Sequence, residues 1–260
     1  GRLRISDLIA EASSYQVPLL SSSGSSMDAH VYGHLELNDD AEFRVENGAS
    51  AILQPTAAIS LNGSKNWEID TDAEVVLKHG TNVASTSTGK IVVGDDAKLI
   101  LEERSVSTLD TEILVEDGGT FLIRSGAEAR VRSIHVEKGG ELRIEAGGTL
   151  TLTEDESISV INGRLLVQGV AGDLATIRGR TKECCLLECN EVVGGARILV
   201  EDDLTNLNDL TSTLVDIDYG WIEDVPLEIK NAPVKKISNS TFVGDGATWM
   251  NYTPLLKLTT

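Results

Sequence analysis

The chain is poor in the residues on which compact cores and catalytic sites often depend. Of its 260 residues, 4% are aromatic, and it has 5 prolines, 4 histidines, 3 cysteines and 2 methionines. No apolar run approaches the roughly 20 residues that cross a bilayer, which argues against membrane insertion. The opening residues, GRLRISDLIAEA, carry acids where a signal peptide would be apolar, so we expect none there.

Positive charge is also scarce. The 22 Lys and Arg residues face 41 Asp and Glu residues, which gives a formal net charge of −19. A surface this acidic repels phosphate backbones and anionic lipids, so we expect no nucleic-acid partner.

The sequence instead contains an eight-residue repeat. LELNDDAEFRV from Leu35, WEIDTDAEVVL from Trp67 and IVVGDDAKLIL from Ile91 each read apolar-x-apolar, polar turn, apolar-x-apolar. Alternate residues of a strand point to the same face, so the apolar pairs predict the inward side chains. A helix would need a period of 3.6 residues, so the repeat predicts strands.

The residues between the apolar pairs also repeat, at every third octad. One set of outward residues is apolar, one is mixed and one is polar, as expected if like sides stack into parallel sheets. We therefore predict an all-β fold, a three-sided parallel β-solenoid of about 24 residues per coil, right-handed because parallel crossovers almost always are. One side should stack Phe43, Trp67, Ile91, Ile113, Ile134 and Ile158 inside the coil.

Four regions are predicted. Residues 1–30 form a cap, in which Ser6-Asp7 begins a short helix, or a segment exchanged between molecules. Residues 31–178 form the regular solenoid, and residues 179–212 form an insertion or an irregular coil that contains the cysteines. Residues 213–260 form further coils.

The C-terminal region resembles right-handed parallel β-helices of the pectate-lyase-like superfamily. The resemblance lies in LVDIDYGWIEDVPLEIKNAPVKKISNSTFVG, residues 214–244, and above all in the pattern P-x-x-x-I-x-N-S-x-F over residues 233–242. It implies a β-helix fold. Because no catalytic signature of the enzymes is present, the resemblance favours non-enzymatic surface or structural members.

Candidate chemistry is sparse. Asp216 and Asp218 share one strand face, and Glu223 and Asp224 follow the next turn, so these four acids are the runner-up catalytic set. The alternative is that they are ordinary solvated acids of an acidic protein. Calcium binding is open, but Asp, Asn and Gly in the turns are explained by turn conformation without an ion. We otherwise expect no cofactor.

The cysteines cluster in the insertion. Cys184, Cys185 and Cys189 do not have a zinc-ligand spacing. Buried thiols are one interpretation, and disulfides between molecules of an extracellular protein are the other.

The outward apolar set predicts an interface. Five aliphatic side chains should form a stripe outside one side of the coil: Ile52, Val76, Ile100, Leu122 and Leu166, interrupted by Arg143. A stripe of this kind needs a cover. The cover is either a second copy or the chain itself, through the insertion or through the N-terminal residues Leu8, Ile9, Val17, Leu19 and Leu20.

Two function classes follow. The first is a non-catalytic protein of the cell exterior that associates with itself, as a sheath, filament, surface-layer or adhesin-stalk subunit. The alternative is a carbohydrate-active β-helix, either a polysaccharide lyase or hydrolase or a carbohydrate-binding module, with polysaccharide as its partner. The missing catalytic constellation favours the first class.

Overall fold

The chain is a stack of short parallel strands. A computed structural model describes residues 2–5, 8–12, 28–39, 41, 43–45, 48–86, 88–153, 158–179, 197–201, 214–225, 227–230, 232, 234–243 and 249–251. In these ranges the regular structure is all strand, with no helix. Ala51, Val75 and Leu99 lie side by side on neighbouring strands, 24 residues apart, which confirms the predicted coil length.

Three ladders run along the stack, and we name them faces 1, 2 and 3. Face 1 is a ten-stranded sheet of β1 (Arg2–Ile5), β3 (Asp28–Val31), β6 (Ser50–Leu53), β9 (Glu74–Leu77), β12 (Lys98–Leu101), β14 (Thr120–Ile123), β16 (Glu141–Glu145), β19 (Arg164–Gln168), β22 (Leu214–Asp218) and β25 (Val234–Ser238).

Faces 2 and 3 are joined by two long strands, β13 (Val106–Val115) and β15 (Glu128–Val136), which turn the corner between them. Face 2 also has β2 (Leu8–Ala12), β4 (His34–Asp39), β7 (Ala58–Leu61), β10 (Asn82–Ser85), β17 (Thr149–Leu152), β20 (Ala175–Gly179), β23 (Gly220–Glu223) and β26 (Thr241–Val243). Face 3 also has β5 (Phe43–Val45), β8 (Trp67–Ile69), β11 (Ile91–Val93), β18 (Ile158–Ile161), β21 (Arg197–Glu201), β24 (Leu227–Lys230) and β27 (Trp249–Asn251).

The inward pairs predicted from the octads fill the core. Strands such as β6, β7 and β9 alternate buried and part-buried residues, as a strand with one face in the core must. The rings of Phe43 and Trp67 stack inside face 3 with their centroids 5.5 Å apart. Trp67 Nε1 is buried there and makes no hydrogen bond.

The first strands correct one expectation. Residues 2–5 and 8–12 form β1 and β2, so Leu8, Ile9 and Ala10 lie on a strand and not on the predicted helix. β1 pairs with β3, and β2 pairs with β4, where Leu8 lies opposite Leu35 and Ala10 opposite Leu37. Leu8, Ala10 and Ala12 also fit the two-residue period of a strand. The segment therefore suits a strand as well as a helix, and it adds strands to the solenoid. Its β2 residues Leu8 and Ile9 belong to a strand of face 2, whereas the other predicted cover, Val17, Leu19, Leu20 and the insertion around Cys184, lies outside the described residues.

The register of β18 is a second correction. We expected Ile158 and Val160 to point inward, but Val160 pairs with His135 and Ile161 with Val136. Ser159 and Ile161 are therefore the buried residues. The Ser159 hydroxyl oxygen accepts a hydrogen bond from the Ile134 N–H at 3.1 Å, which satisfies the polar atom inside the core.

The corner between faces 2 and 3 follows β10, where the octad pattern blurs. The Arg132 guanidinium donates to the backbone oxygens of Ser85, at 3.1 Å, and of Asp110, at 3.0 Å. One side chain thus ties three successive coils together at this corner.

Candidate functional site

The five predicted stripe residues stand in one row on the outer surface of face 1. The ladders place Ile52 beside Val76, Val76 beside Ile100, and Ile100 beside Leu122. Arg143 and Leu166 continue the row on β16 and β19. We call these positions the apolar row.

The apolar row is not equally open along its length. Ile100 is 1% exposed and Leu166 is 2% exposed, although neither belongs to the core inside the coil. Ile52, Val76 and Leu122 are part-buried. The apolar area that the row presents outward therefore comes from these three residues, and its role as an interface remains a prediction.

Charged side chains flank the apolar row on both sides. On β9 the row residue Val76 stands between Glu74 and Lys78, two residues before and two residues after it. On the next strand the order is reversed, because Lys98 precedes Ile100 and Glu102 follows it. Lys78 Nζ and Glu102 Oε1 form an ion pair at 3.2 Å along the second flank. We call Glu74, Lys78, Lys98 and Glu102 the charge quartet.

The runner-up catalytic acids do not form one cluster. Asp216 and Asp218 lie on β22, on the outer surface of face 1, as their spacing predicts. Glu223 lies on β23 of face 2, where it pairs with Arg178 in the ladder, and Asp224 follows in the turn. The chain turns a corner at Tyr219 between the two pairs.

Lysines from the next strand engage both acids of β22. The pairing of β22 with β25 shifts register after Val215, where Lys235 is the extra residue and Lys236 pairs with Asp216 in the ladder. Lys235 Nζ is 2.9 Å from the Asp216 carboxylate, which is 9% exposed. Lys236 forms an ion pair with Asp218.

Asp218 is held in its charged form. Its carboxylate accepts hydrogen bonds from Lys236, from Ser238 Oγ at 2.7 Å and from Asn239 Nδ2 at 3.1 Å. These donors, led by Lys236, lower the pKa of Asp218 to about 2. A carboxylate so strongly acidic is a poor proton carrier near neutral pH. The arrangement ties the last coils together.

No protein-family model matches this chain, and no curated protein and no solved structure matches it either. The site must therefore be interpreted from its own residues.

The remaining candidates are metal ligands and cysteines. In the ranges described above, no group of three or more His, Cys, Asp or Glu side chains is placed to hold a metal ion. Cys184, Cys185 and Cys189 lie outside those ranges, so their cross-linking remains a prediction. Within the same ranges no helix is long and apolar enough to cross a membrane.

Sequence reasoning singled out the apolar row but missed the charge quartet. The signal was present, because EVVLK at residues 74–78 and KLILE at residues 98–102 carry opposite charges in opposite order. It gains meaning only once both segments are known to lie side by side on an outer face.

Proposed function

We propose that this chain is a non-catalytic structural protein of the cell exterior that associates with itself side by side. A sheath, a filament, a surface layer or an adhesin stalk would suit such a subunit. The observation that carries the proposal is the apolar row, with Ile52, Val76 and Leu122 part-exposed on an otherwise regular outer face. Side-by-side contact with a second copy would remove these side chains from water.

The acids of β22 support this proposal over a carbohydrate-active enzyme. An acid–base pair needs one carboxyl group with a raised pKa and room for substrate between the two groups. Here each carboxylate is paired with a lysine, and the pKa of Asp218 is lowered. Glu223 lies on another face. The four acids therefore suit coil-to-coil stabilisation better than glycoside chemistry.

The proposal extends to family and location. The parallel β-solenoid fits the resemblance of residues 214–244 to pectate-lyase-like β-helices, and we place the chain with their non-enzymatic surface members. The net charge of −19 suits a protein exposed to salt outside the cell.

The test is a pair of lysine substitutions on the apolar row. Val76→Lys with Leu122→Lys places two charges on either side of Ile100 without entering the core. Because each ammonium group would have to be desolvated on contact, we expect side-by-side association to weaken at least about tenfold, which is about 1.4 kcal/mol. Analytical ultracentrifugation over a range of concentrations measures the change.

A matched control lies on face 2. Ala58 and Thr108 flank Asn82 on three neighbouring strands, as Val76 and Leu122 flank Ile100. Ala58→Lys with Thr108→Lys adds the same charge and should leave association unchanged. A wild-type chain that stays monomeric at high concentration would overturn the proposal. Equal association of both double variants would exclude the apolar row as the contact.

A further inference from the structure

We infer that the second copy binds face 1 about a two-fold axis parallel to the long axis of the solenoid, with the charge quartet setting the register. This inference rests on the proposed self-association and specifies its geometry. It follows from the reversed order of charges on two neighbouring strands, Glu74-x-Val76-x-Lys78 and Lys98-x-Ile100-x-Glu102.

A two-fold axis of this kind keeps each coil level with the same coil of the second copy. It also exchanges left and right, so the residue before the apolar row meets the residue after it. Glu74 then opposes Lys78 of the second copy, and Lys98 opposes Glu102 of the second copy. Each contact occurs twice, so all four opposed pairs carry opposite charges.

The apolar row opposes itself in the same arrangement. Val76 meets Val76 and Leu122 meets Leu122, in the middle of the contact, while the charges lie at its rim. Strand residues two apart are separated by about 6.6 Å, so each charge lies about that far from the apolar row along its strand. Packed sheets lie about 10 Å apart, and the long Glu and Lys side chains of two copies can together span that distance.

The charges on and beside β16 also balance in this geometry. Glu141 would oppose Glu145 of the second copy, but each copy brings arginines to the same place. Arg143 Nη2 is 2.7 Å from Glu141 Oε1, and Arg164 Nη1 is 2.9 Å from Glu141 Oε2. Two arginines and two glutamates per copy meet there, so the charges cancel.

An antiparallel pair of copies is the competing geometry. With its axis between β9 and β12, Glu74 would oppose Lys98 of the second copy and Lys78 would oppose Glu102 of the second copy. These contacts are also opposite in charge, but Val76 would then face Ile100 of the second copy, which is 1% exposed and offers almost no apolar surface. The parallel arrangement instead places each of the part-buried side chains Ile52, Val76 and Leu122 opposite its own equivalent.

Two charge-exchanged variants separate these geometries. Variant one is Glu74→Lys with Lys98→Glu, and variant two is Lys78→Glu with Glu102→Lys. Each exchange is made within one flank, so neighbouring strands of the same chain still carry opposite charges, including the pair that replaces Lys78–Glu102. Circular dichroism and thermal melting check that both variants fold as the wild type does.

The parallel geometry predicts a distinctive result. Each variant alone would oppose like charges at all four contacts, so we expect its self-association to fall at least about tenfold. In an equimolar mixture every contact becomes opposite again, because the lysine that E74K introduces in variant one meets the glutamate that K78E introduces in variant two. We expect the mixture to associate as strongly as the wild type.

Energy transfer between separately labelled copies, together with sedimentation of each variant alone, measures both quantities. If each variant associates with itself and the mixture does not form mixed pairs, the geometry is antiparallel and the inference is wrong. If the variants and their mixture all behave as the wild type does, the charge quartet sets no register and the inference is also wrong, although self-association stands. A monomeric wild type would instead overturn the proposed function.

Discussion

Thr56 holds a backbone conformation that its side chain disfavours. Its φ is +67°, in the left-handed region, where a β-branched residue is a true outlier. It occupies the third position of the turn between faces 1 and 2, and the equivalent residues of later coils also have positive φ: Gly80, Arg104, Gly126 and Gly147. The turn requires this conformation, and most coils supply a glycine for it.

Thr56→Gly should stabilise the protein. Left-handed conformation costs an L-residue about 1–2 kcal/mol, whereas glycine adds about 0.5–1 kcal/mol of unfolded-chain entropy. The difference predicts a gain of up to about 1.5 kcal/mol in the free energy of unfolding, measured by chemical denaturation. Gly126→Thr is the reverse control and should destabilise the protein. Loss of stability in Thr56→Gly would show that the hydrogen bond from Thr56 Oγ1 to the Pro55 oxygen, at 2.6 Å, matters more.

The inward residues of β18 could not be predicted from the sequence. In most octads the inward pair can be predicted, because one set of alternate residues is aliphatic and the other set is polar. In the segment Ile158-Ser159-Val160-Ile161 both sets of alternate residues contain an aliphatic residue, but only Ile158 and Val160 form a fully aliphatic pair, so alternation alone favoured them. The structure instead buries Ser159 and Ile161, because the ladder to His135 and Val136 sets the register and Ile134 satisfies the buried hydroxyl.

At the scale of elements, the corner between faces 3 and 1 is a column of acids. Glu116 follows β13 there, and burial is the first cause that raises its pKa. Repulsion from Glu137 and Asp95 on the adjoining coils, and from Glu68 and Asp70 one coil further away, raises it further. Stacking turns of similar sequence places like charges about 4.8 Å apart in height, so this cost comes with the repeat.

Glu116→Gln should raise the melting temperature at pH 7. Because the pKa of Glu116 is raised on folding, the folded chain binds this proton more tightly than the unfolded chain does. Stability is therefore lost as the pH rises from about 4.5 through the raised pKa. The amide removes that loss, so the advantage should disappear as the pH falls below about 4.5. Glu103→Gln, an exposed acid in the turn after β12, is the control.

Strands whose pairing partners lie nearby in the sequence could be predicted. Features that depend on a local irregularity could not. The strands from Leu35 to Leu152 follow from their octads. The short segment Leu8–Ala12 fits both a helix turn and a strand, and only its pairing with β4 decides. The lysines that neutralise Asp216 and Asp218 reach them through a register shift, which no spacing in the sequence indicates.

On the scale of the whole molecule, the three faces differ in what they offer a neighbour. Face 1 carries the apolar row between charged flanks. Face 2 is mainly polar. Burial alone would raise the pKa of Glu128 on this face, but Arg130 and Arg178 outweigh burial, so the pKa is lowered. Arg178 reaches Glu128 at 2.9 Å across an intervening strand. Such bridges hold coils of one chain together on face 2, as the Lys78–Glu102 and Arg164–Glu141 ion pairs do on face 1.

Salt should strengthen side-by-side association at first. Two copies with a net charge of −19 each repel one another over the whole length of the solenoid, whereas the charge quartet contributes only four contacts. Raising ionic strength from about 0.01 M to about 0.15 M shortens the Debye length from about 30 Å to about 8 Å. That removes the long-range repulsion but leaves contacts of about 3–4 Å largely intact. We therefore expect the dissociation constant from sedimentation to fall over this range and to level off at higher salt. A steady rise from the lowest salt onward would mean that the four ion pairs outweigh the net charge.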